Sequence, residues 1–231
     1  LIEPLQGIRV MEQSTKQARF NMVEQQIRPW DVIDERVLNM MMEIPRENFV
    51  PDAYRGLAYA DIEVPIGAGQ LMLPPRVVGR MLQALDVWPD SIVLEIGTGT
   101  AYVTACLAAL GRKVVSVEWD SGLLAQSREN LQKQGISNVE LREGDALDGP
   151  MTDGPFDTIA VTGSLPSEDS LLDLQAQLNT GGRLFAVVGE DPVMEALLIT
   201  RVGEREFRRE SLFETSVPAL ANVPEPEHFS L

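Results

Sequence analysis

The residues best suited to do chemistry lie in the segment Val93-Leu94-Glu95-Ile96-Gly97-Thr98-Gly99-Thr100-Ala101-Tyr102. An apolar run reaches Glu95, turns through two glycines and enters a helical stretch near Thr100. Glycines at such a turn let the backbone approach a ligand where a Cβ would stand in the way. A nicotinamide-binding turn calls for a third glycine at position 102, which is Tyr102 here. Glu95 suits a ligand with a positive region, such as a sulfonium or an amino group, better than a pyrophosphate. Two further acids fall where a nucleoside needs them. Glu118 closes the next apolar run, 21 positions after Gly97, where a carboxylate can accept from both ribose hydroxyls. Asp145, in Gly144-Asp145-Ala146, follows the third run and can accept from an adenine amino group. Singly, Glu118 reads as a solvated strand-end acid and Gly144-Asp145 as an ordinary turn. Three acids at the ends of three successive strands read as a nucleoside site.

The elements that must position these residues follow from periodicity. Short apolar runs at 92–96, 114–118, 139–142, 157–162 and 183–188 alternate with helical stretches at 101–110, 121–134 and 168–178. This alternation predicts an α/β fold, a doubly wound and mostly parallel sheet covered by helices on both faces. Residues 195–202 and 207–217 predict two strands joined at Gly203-Glu204, an antiparallel pair at one sheet edge. Upstream, residues 15–28 predict a helix with Phe20, Val23 and Ile27 on one face, stopped by Pro29. Asp31 or Asp34 can cap a second helix through Val37, Leu38, Met41 and Met42 to about Ile44. The Met40-Met41-Met42 run reads as core filler. Residues 64–75, with three prolines and two glycines, predict a shaped loop, and Pro75 opens a helix with a Val77, Val78, Met81, Leu82 and Leu85 stripe. The organisation expected is a helical extension and loop over 1–90, an α/β core over 91–220 and a loose tail over 221–231, one compact domain overall.

Composition narrows the partners. The 231 residues carry 19 Lys+Arg against 35 Asp+Glu, net −16, with −4 falling on residues 1–90 and −12 on 91–231. So acidic a surface argues against nucleic acid, whose binding rests on cationic side chains displacing counterions, and against anionic membranes. One cysteine, Cys106, rules out an internal disulfide; it reads as a small core residue. One histidine, His228, leaves no His-built metal site within the chain and no base for a Ser-His or Cys-His machine. No basic stretch followed by an apolar run opens the sequence, no apolar segment reaches the length of a membrane span, and Met11 is a candidate start. A cytoplasmic protein is expected.

The strand-Glu-x-Gly-x-Gly turn, the acid after the next strand and the Gly-Asp after the third resemble class I methyltransferases that bind S-adenosylmethionine. The order of segments 22–61, 64–70, 93–102, 156–163 and 178–189, with Val217-Pro218-Ala219-Leu220 near the end, is similar to protein-L-isoaspartate O-methyltransferases. This resemblance implies a Rossmann-like sheet with a reversed last strand and S-adenosyl-L-methionine as cofactor. It implies a cofactor site of Glu95, Gly97, Thr98, Gly99, Glu118, Trp119, Asp145, Ala146 and Thr162. Glu118 would hold the ribose, Asp145 would read adenine, and Gly97 and Gly99 would offer backbone contacts to methionine. The acceptor would be a protein or peptide, met by Gly69, Gln70, Leu71 and Leu73.

The acceptor loop departs from that family. The family pattern is Gly-x-Gly-Gln-Thr-Ile-Ser-x-Pro, against Gly67-Ala68-Gly69-Gln70-Leu71-Met72-Leu73-Pro74-Pro75 here. The Thr position is Leu71 and the Ser position, to which the catalytic role is assigned, is Leu73, so no catalytic residue is assigned. Ser164 is a candidate replacement hydroxyl. Methyl transfer from a sulfonium needs alignment and desolvation more than acid–base help, and a carboxylate acceptor is already ionised at neutral pH. The scarcity of His and Cys therefore fits carboxyl methylation of isoaspartyl residues. A methyltransferase with a more apolar acceptor, and a cofactor-binding protein with a disabled acceptor site, are the alternatives that the two leucines leave open.

Overall fold

The structure, a computed structural model, describes residues 3–223, with side chains described from residue 13. Helix α1 (Glu3–Met22) runs into a wider turn at Val23–Ile27 and a tight turn at Arg28–Trp30 that holds Pro29. Met22, Val23 and Ile27 are buried, but Phe20 is exposed, against expectation. The wider turn adds a residue per turn and shifts the phase of the apolar face between positions 20 and 27. Asp34 caps α2 (Glu35–Glu43), accepting from the Arg36 N–H at 2.8 Å. Met40 and Met41 are core residues, as their spacing suggested.

Residues 64–75 are more regular than their composition predicts. They hold a hairpin, β1 (Val64–Gly67) and β2 (Gln70–Met72), before α3 (Pro75–Leu85). Ala68 (φ 51°) and Gly69 (φ 73°) both take the left-handed conformation, which is what a two-residue hairpin turn demands. The α3 stripe of Val77, Val78, Met81, Leu82 and Leu85 is buried as expected.

The main sheet follows in chain order: β3 (Ile92–Ile96), α4 (Tyr102–Leu110), β4 (Lys113–Glu118), α5 (Ser121–Lys133), β5 (Val139–Glu143), β6 (Phe156–Leu165), α6 (Leu172–Gln175), β7 (Leu178–Glu190), β8 (Val193–Arg201) and β9 (Phe207–Thr215). The strand order is β5-β4-β3-β6-β7-β8-β9. The first five are parallel, while β8 is antiparallel to both neighbours, giving the reversed edge pair expected. The helix expected over 168–178 is only α6 after a tight turn at Glu168–Leu171, because β7 begins at Leu178. One apolar core joins Met22, Met41 and Met81 to Val93, Phe185 and Val217, so the N-terminal helices pack on the sheet. No helix among the described residues is long and apolar enough to cross a membrane. The tail expected over 221–231 lies outside the described residues from position 224.

Sheet direction reverses at β3, where the connection leads to β4 on one side and the chain later returns as β6 on the other. Ligands in such sheets bind at the carboxyl ends of the strands beside this switch point. All three strand-end acids sit there.

Candidate active site

A cavity of about 270 Å³ opens at those carboxyl ends. Its floor is the turn after β3. Gly97 has φ 91° and Gly99 φ 55°, conformations that favour glycine. A Cβ on Gly97 would stand 2.4 Å from the hydrogen-bonded Thr162 Oγ1, so that glycine is also fixed by close approach, while one on Gly99 would press 2.9 Å from the tip of Ile66, which can move. The Thr162 hydroxyl donates to the Gly97 carbonyl at 2.5 Å, tying β6 to the turn. The helix expected near Thr100 begins at Tyr102, with Ala101 at its cap in the left-handed region (φ 71°).

Glu118 faces this turn. Its Oε2 accepts from the Gly99 N–H at 2.8 Å and its Oε1 from the Asp120 N–H at 3.0 Å. A carboxylate offers about four acceptor directions, so each oxygen keeps capacity for a further donor. Asp120 caps α5 by accepting from the Leu123 N–H at 2.8 Å, which fixes the rim bearing half-exposed Trp119. Asp145 is braced by the Leu147 N–H at 2.9 Å, and the Gly144 N–H donates to the Glu118 carbonyl at 3.0 Å. Two acids from adjacent strands thus share one wall.

Of the residues singled out in the sequence, Gly97, Thr98, Gly99, Glu118, Trp119, Asp145, Ala146 and Thr162 line the cavity, as do Gln70, Leu71 and Leu73 of the hairpin. Glu95 is not among the lining residues. It is fully buried, its Oε2 accepting from the Thr104 hydroxyl at 2.5 Å and the Ser116 hydroxyl at 2.6 Å. Ser116 in turn meets the Thr98 hydroxyl at 2.6 Å, so Glu95 stands behind the glycine turn and supports it through Ser116 and Thr98. Burial pushes its carboxyl up to about 8, against the lowering effect of those hydroxyls. Gly69 also falls outside the wall, serving the hairpin turn. Ser164 supplies no replacement hydroxyl: it is buried and donates to the Val217 carbonyl at 3.1 Å. Cys106 is a core residue, with burial pushing its thiol up to about 12.

Several wall residues carry no signal in composition or spacing. Pro218, Leu220 and Ala221 form a strap across the end of β6. It is held by the Ser164 N–H to the Pro218 carbonyl (2.8 Å) and the Leu220 N–H to the Ser164 carbonyl (3.0 Å). A Cβ on Gly163 would stand 2.9 Å from Leu220 Cδ2, so glycine is needed where the strap crosses. The Val217-Pro218-Ala219-Leu220 run marks the segment in sequence, but only the fold brings it to the cavity. Tyr102 also lines the wall, and its hydroxyl has no hydrogen-bond partner. Behind it lies Arg46, fully buried, its guanidinium 4.8 Å from the Tyr102 ring centre.

Comparison with known proteins places this arrangement. The family described as protein-L-isoaspartate(D-aspartate) O-methyltransferase matches residues 17–219. The chain belongs to this family. It is 39% identical over 205 residues to the protein-L-isoaspartate O-methyltransferase of Koribacter versatilis, covering 88% of this chain and 91% of that one. It is 43% identical over 175 residues to that of a Synechococcus strain, covering 75% and 70%. Among solved structures, a protein-L-isoaspartate O-methyltransferase superposes with a TM-score of 0.75 at 24% identity, covering 87% of this chain and 65% of that one. A β-aspartate methyltransferase from Plasmodium falciparum, in complex with S-adenosyl-L-homocysteine, superposes with a TM-score of 0.72 at 22% identity, covering 89% and 97%. These two share the fold.

Proposed function

We propose that the chain is an S-adenosylmethionine-dependent carboxyl O-methyltransferase that methylates L-isoaspartyl residues of proteins or peptides. The observation that carries this reading is the shared wall of Glu118 and Asp145 facing a turn whose two glycines both take left-handed backbone conformations. It is the donor-accepting surface a nucleoside needs, in a chain whose family match runs over residues 17–219. Glu118 would accept from the ribose hydroxyls, Asp145 from the adenine amine, and Trp119 and Ala146 would flank the base. Gly97, Thr98 and Gly99 would meet the amino-acid part, and Thr162 holds the turn open by anchoring the Gly97 carbonyl.

The bound cofactor supplies a methyl group on a positive sulfur. The chain's residues do the rest by placement. The hairpin brings Gln70, Leu71 and Leu73 against the cofactor wall, and the strap of Pro218, Leu220 and Ala221 covers its flank. Apolar cover of this kind would keep water from an acceptor carboxylate and align it with the methyl group that the cofactor would supply by in-line displacement at its sulfonium. No proton moves, so no His or Cys is required.

The test is methyl transfer from labelled S-adenosylmethionine to an isoaspartyl peptide and to its normal aspartyl twin. Transfer to the first alone is expected. Transfer to neither, with S-adenosylhomocysteine still bound, sinks the acceptor assignment. Absence of cofactor binding sinks the whole reading.

A further inference from the structure

Arg46 is a buried cation with no anion to answer it. Its Nε donates to the Ala58 carbonyl (2.9 Å) and its Nη2 to the Leu73 carbonyl (2.8 Å), both uncharged, and its Nη1 has no hydrogen-bond partner. Asp61, the acid whose field reaches it, is already paired with Arg76 at 2.7 Å. Keeping a guanidinium out of water without a counter-charge is strongly unfavourable, and a chain with no use for the charge would do better with an apolar side chain of similar volume. Two of the groups Arg46 touches are informative. Leu73 directly follows the acceptor hairpin and lines the cavity; Tyr102 lines it from α4, with its hydroxyl unpaired, its ring under the Arg46 guanidinium and edge-to-face with Phe49 at 5.7 Å.

We propose that Arg46 selects for charge in the acceptor site: its guanidinium, acting through Leu73 and Tyr102, supplies the positive field that favours an anionic acceptor in a lobe whose hairpin offers leucines in place of hydroxyls. The inference rests on the carboxyl-methylation reading above. Arg46 is a positioning residue, reaching the cavity wall through two neighbours. Its field holds the carboxylate in the ground state and holds it less as the methyl group neutralises that charge. Its contribution therefore lowers KM and, being partly lost in the transition state, does not raise kcat.

The experiment compares two peptides of one shape, an isoaspartyl peptide and its isoasparaginyl amide, which carries no charge. Binding is measured by calorimetry with S-adenosylhomocysteine present, for wild type, Arg46→Met, Arg46→Lys and Tyr102→Phe. Wild type prefers the acid, and the preference persists in high salt because the charge is buried. Arg46→Met loses about tenfold or more of that preference, as expected for a charge acting across a partly buried site, and raises KM without lowering kcat. Arg46→Lys restores most of it. Tyr102→Phe, which keeps the cation, retains most of the preference. Equal weakening of acid and amide in Arg46→Met marks a merely structural clamp and overturns the proposal. Should Arg46→Met fail to fold, Arg46→Gln, which can still donate to Leu73, gives the same comparison, and a wild-type preference that vanishes with salt also overturns it. A wild type that transfers methyl to neither peptide refutes the underlying reading instead.

Discussion

Glu95 allows a quantitative test of how the glycine turn is supported. Its carboxyl is fully buried, accepts two hydroxyl hydrogen bonds on Oε2 and has no partner on Oε1. Burial raises it from 4.5 to about 8. Because the folded value lies above the unfolded one, the folded chain binds this proton more tightly. Its contribution is therefore complete below pH 4.5 and is lost as pH rises toward 8. The shift corresponds to a loss on the order of 5 kcal/mol across that window, or roughly 10–20 °C in melting temperature for a chain of this size. Glu95→Gln keeps an oxygen to accept from Thr104 and Ser116 but cannot ionise. Its amide NH2 takes the unpartnered position, which adds a constant cost of about 1–3 kcal/mol at every pH. The difference between the two proteins should thus move in the variant's favour from pH 5 to 8.5, whatever its starting sign. Differential scanning calorimetry over pH 5–9, at low and high salt, measures this directly. Burial is insensitive to screening, so the trend should survive salt. Melting curves that shift in parallel with pH would show an ordinary carboxyl and refute the reasoning.

Other positions test the geometry around that turn. Gly97→Ala places a Cβ 2.4 Å from Thr162 Oγ1 at φ 91°. Backbone strain of about 1–2 kcal/mol should lower the melting temperature by roughly 2–8 °C and weaken S-adenosylhomocysteine binding at least about tenfold; unchanged binding would show that the turn does not face the cofactor. Gly163→Ala puts a Cβ 2.9 Å from Leu220 Cδ2 and 3.0 Å from its backbone nitrogen. It should lift the strap, seen as faster amide exchange over residues 217–223 with exchange in β3 and β4 unchanged. Exchange there equal to wild type would show that the strap is not seated by Gly163.

Much of this arrangement is legible in the sequence, for identifiable reasons. Parallel strands buried on both faces are nearly continuous apolar runs, so β3 and β4 are found close to their limits, β6 runs three residues past its expected end, and Glu118, which closes β4, carries the cavity wall. The hairpin at 64–72 was hidden because its turn rests on Ala68 in a left-handed conformation, which composition does not announce. Glu95 shows how far one-dimensional reading reaches. Its place at a strand end is legible, but whether the side chain points to the cavity or into the core depends on the register of β3 against β4, which sets Glu95 beside Ser116. Arg46 and the strap are contacts across 27 and 53 residues, and no local pattern encodes them.

The hairpin leucines give the last prediction. Leu71→Thr with Leu73→Ser returns two hydroxyls to the cavity wall. Leu73 is buried, so its loss costs about 2–4 kcal/mol of stability, and the double variant should melt several degrees lower. Each hydroxyl able to donate to a carboxylate is worth about 1.5–3 kcal/mol in binding. That gain goes mainly to the ground state, because the acceptor oxygen loses its charge as the methyl arrives. KM for an isoaspartyl peptide should therefore fall, while kcat stays level or drops. A wild type already competent in single-turnover assays, improved only in KM by the double variant, means that desolvation and alignment carry the transfer. If wild type is silent and kcat appears only with the hydroxyls, the leucines disable isoaspartyl transfer and the natural acceptor is another molecule.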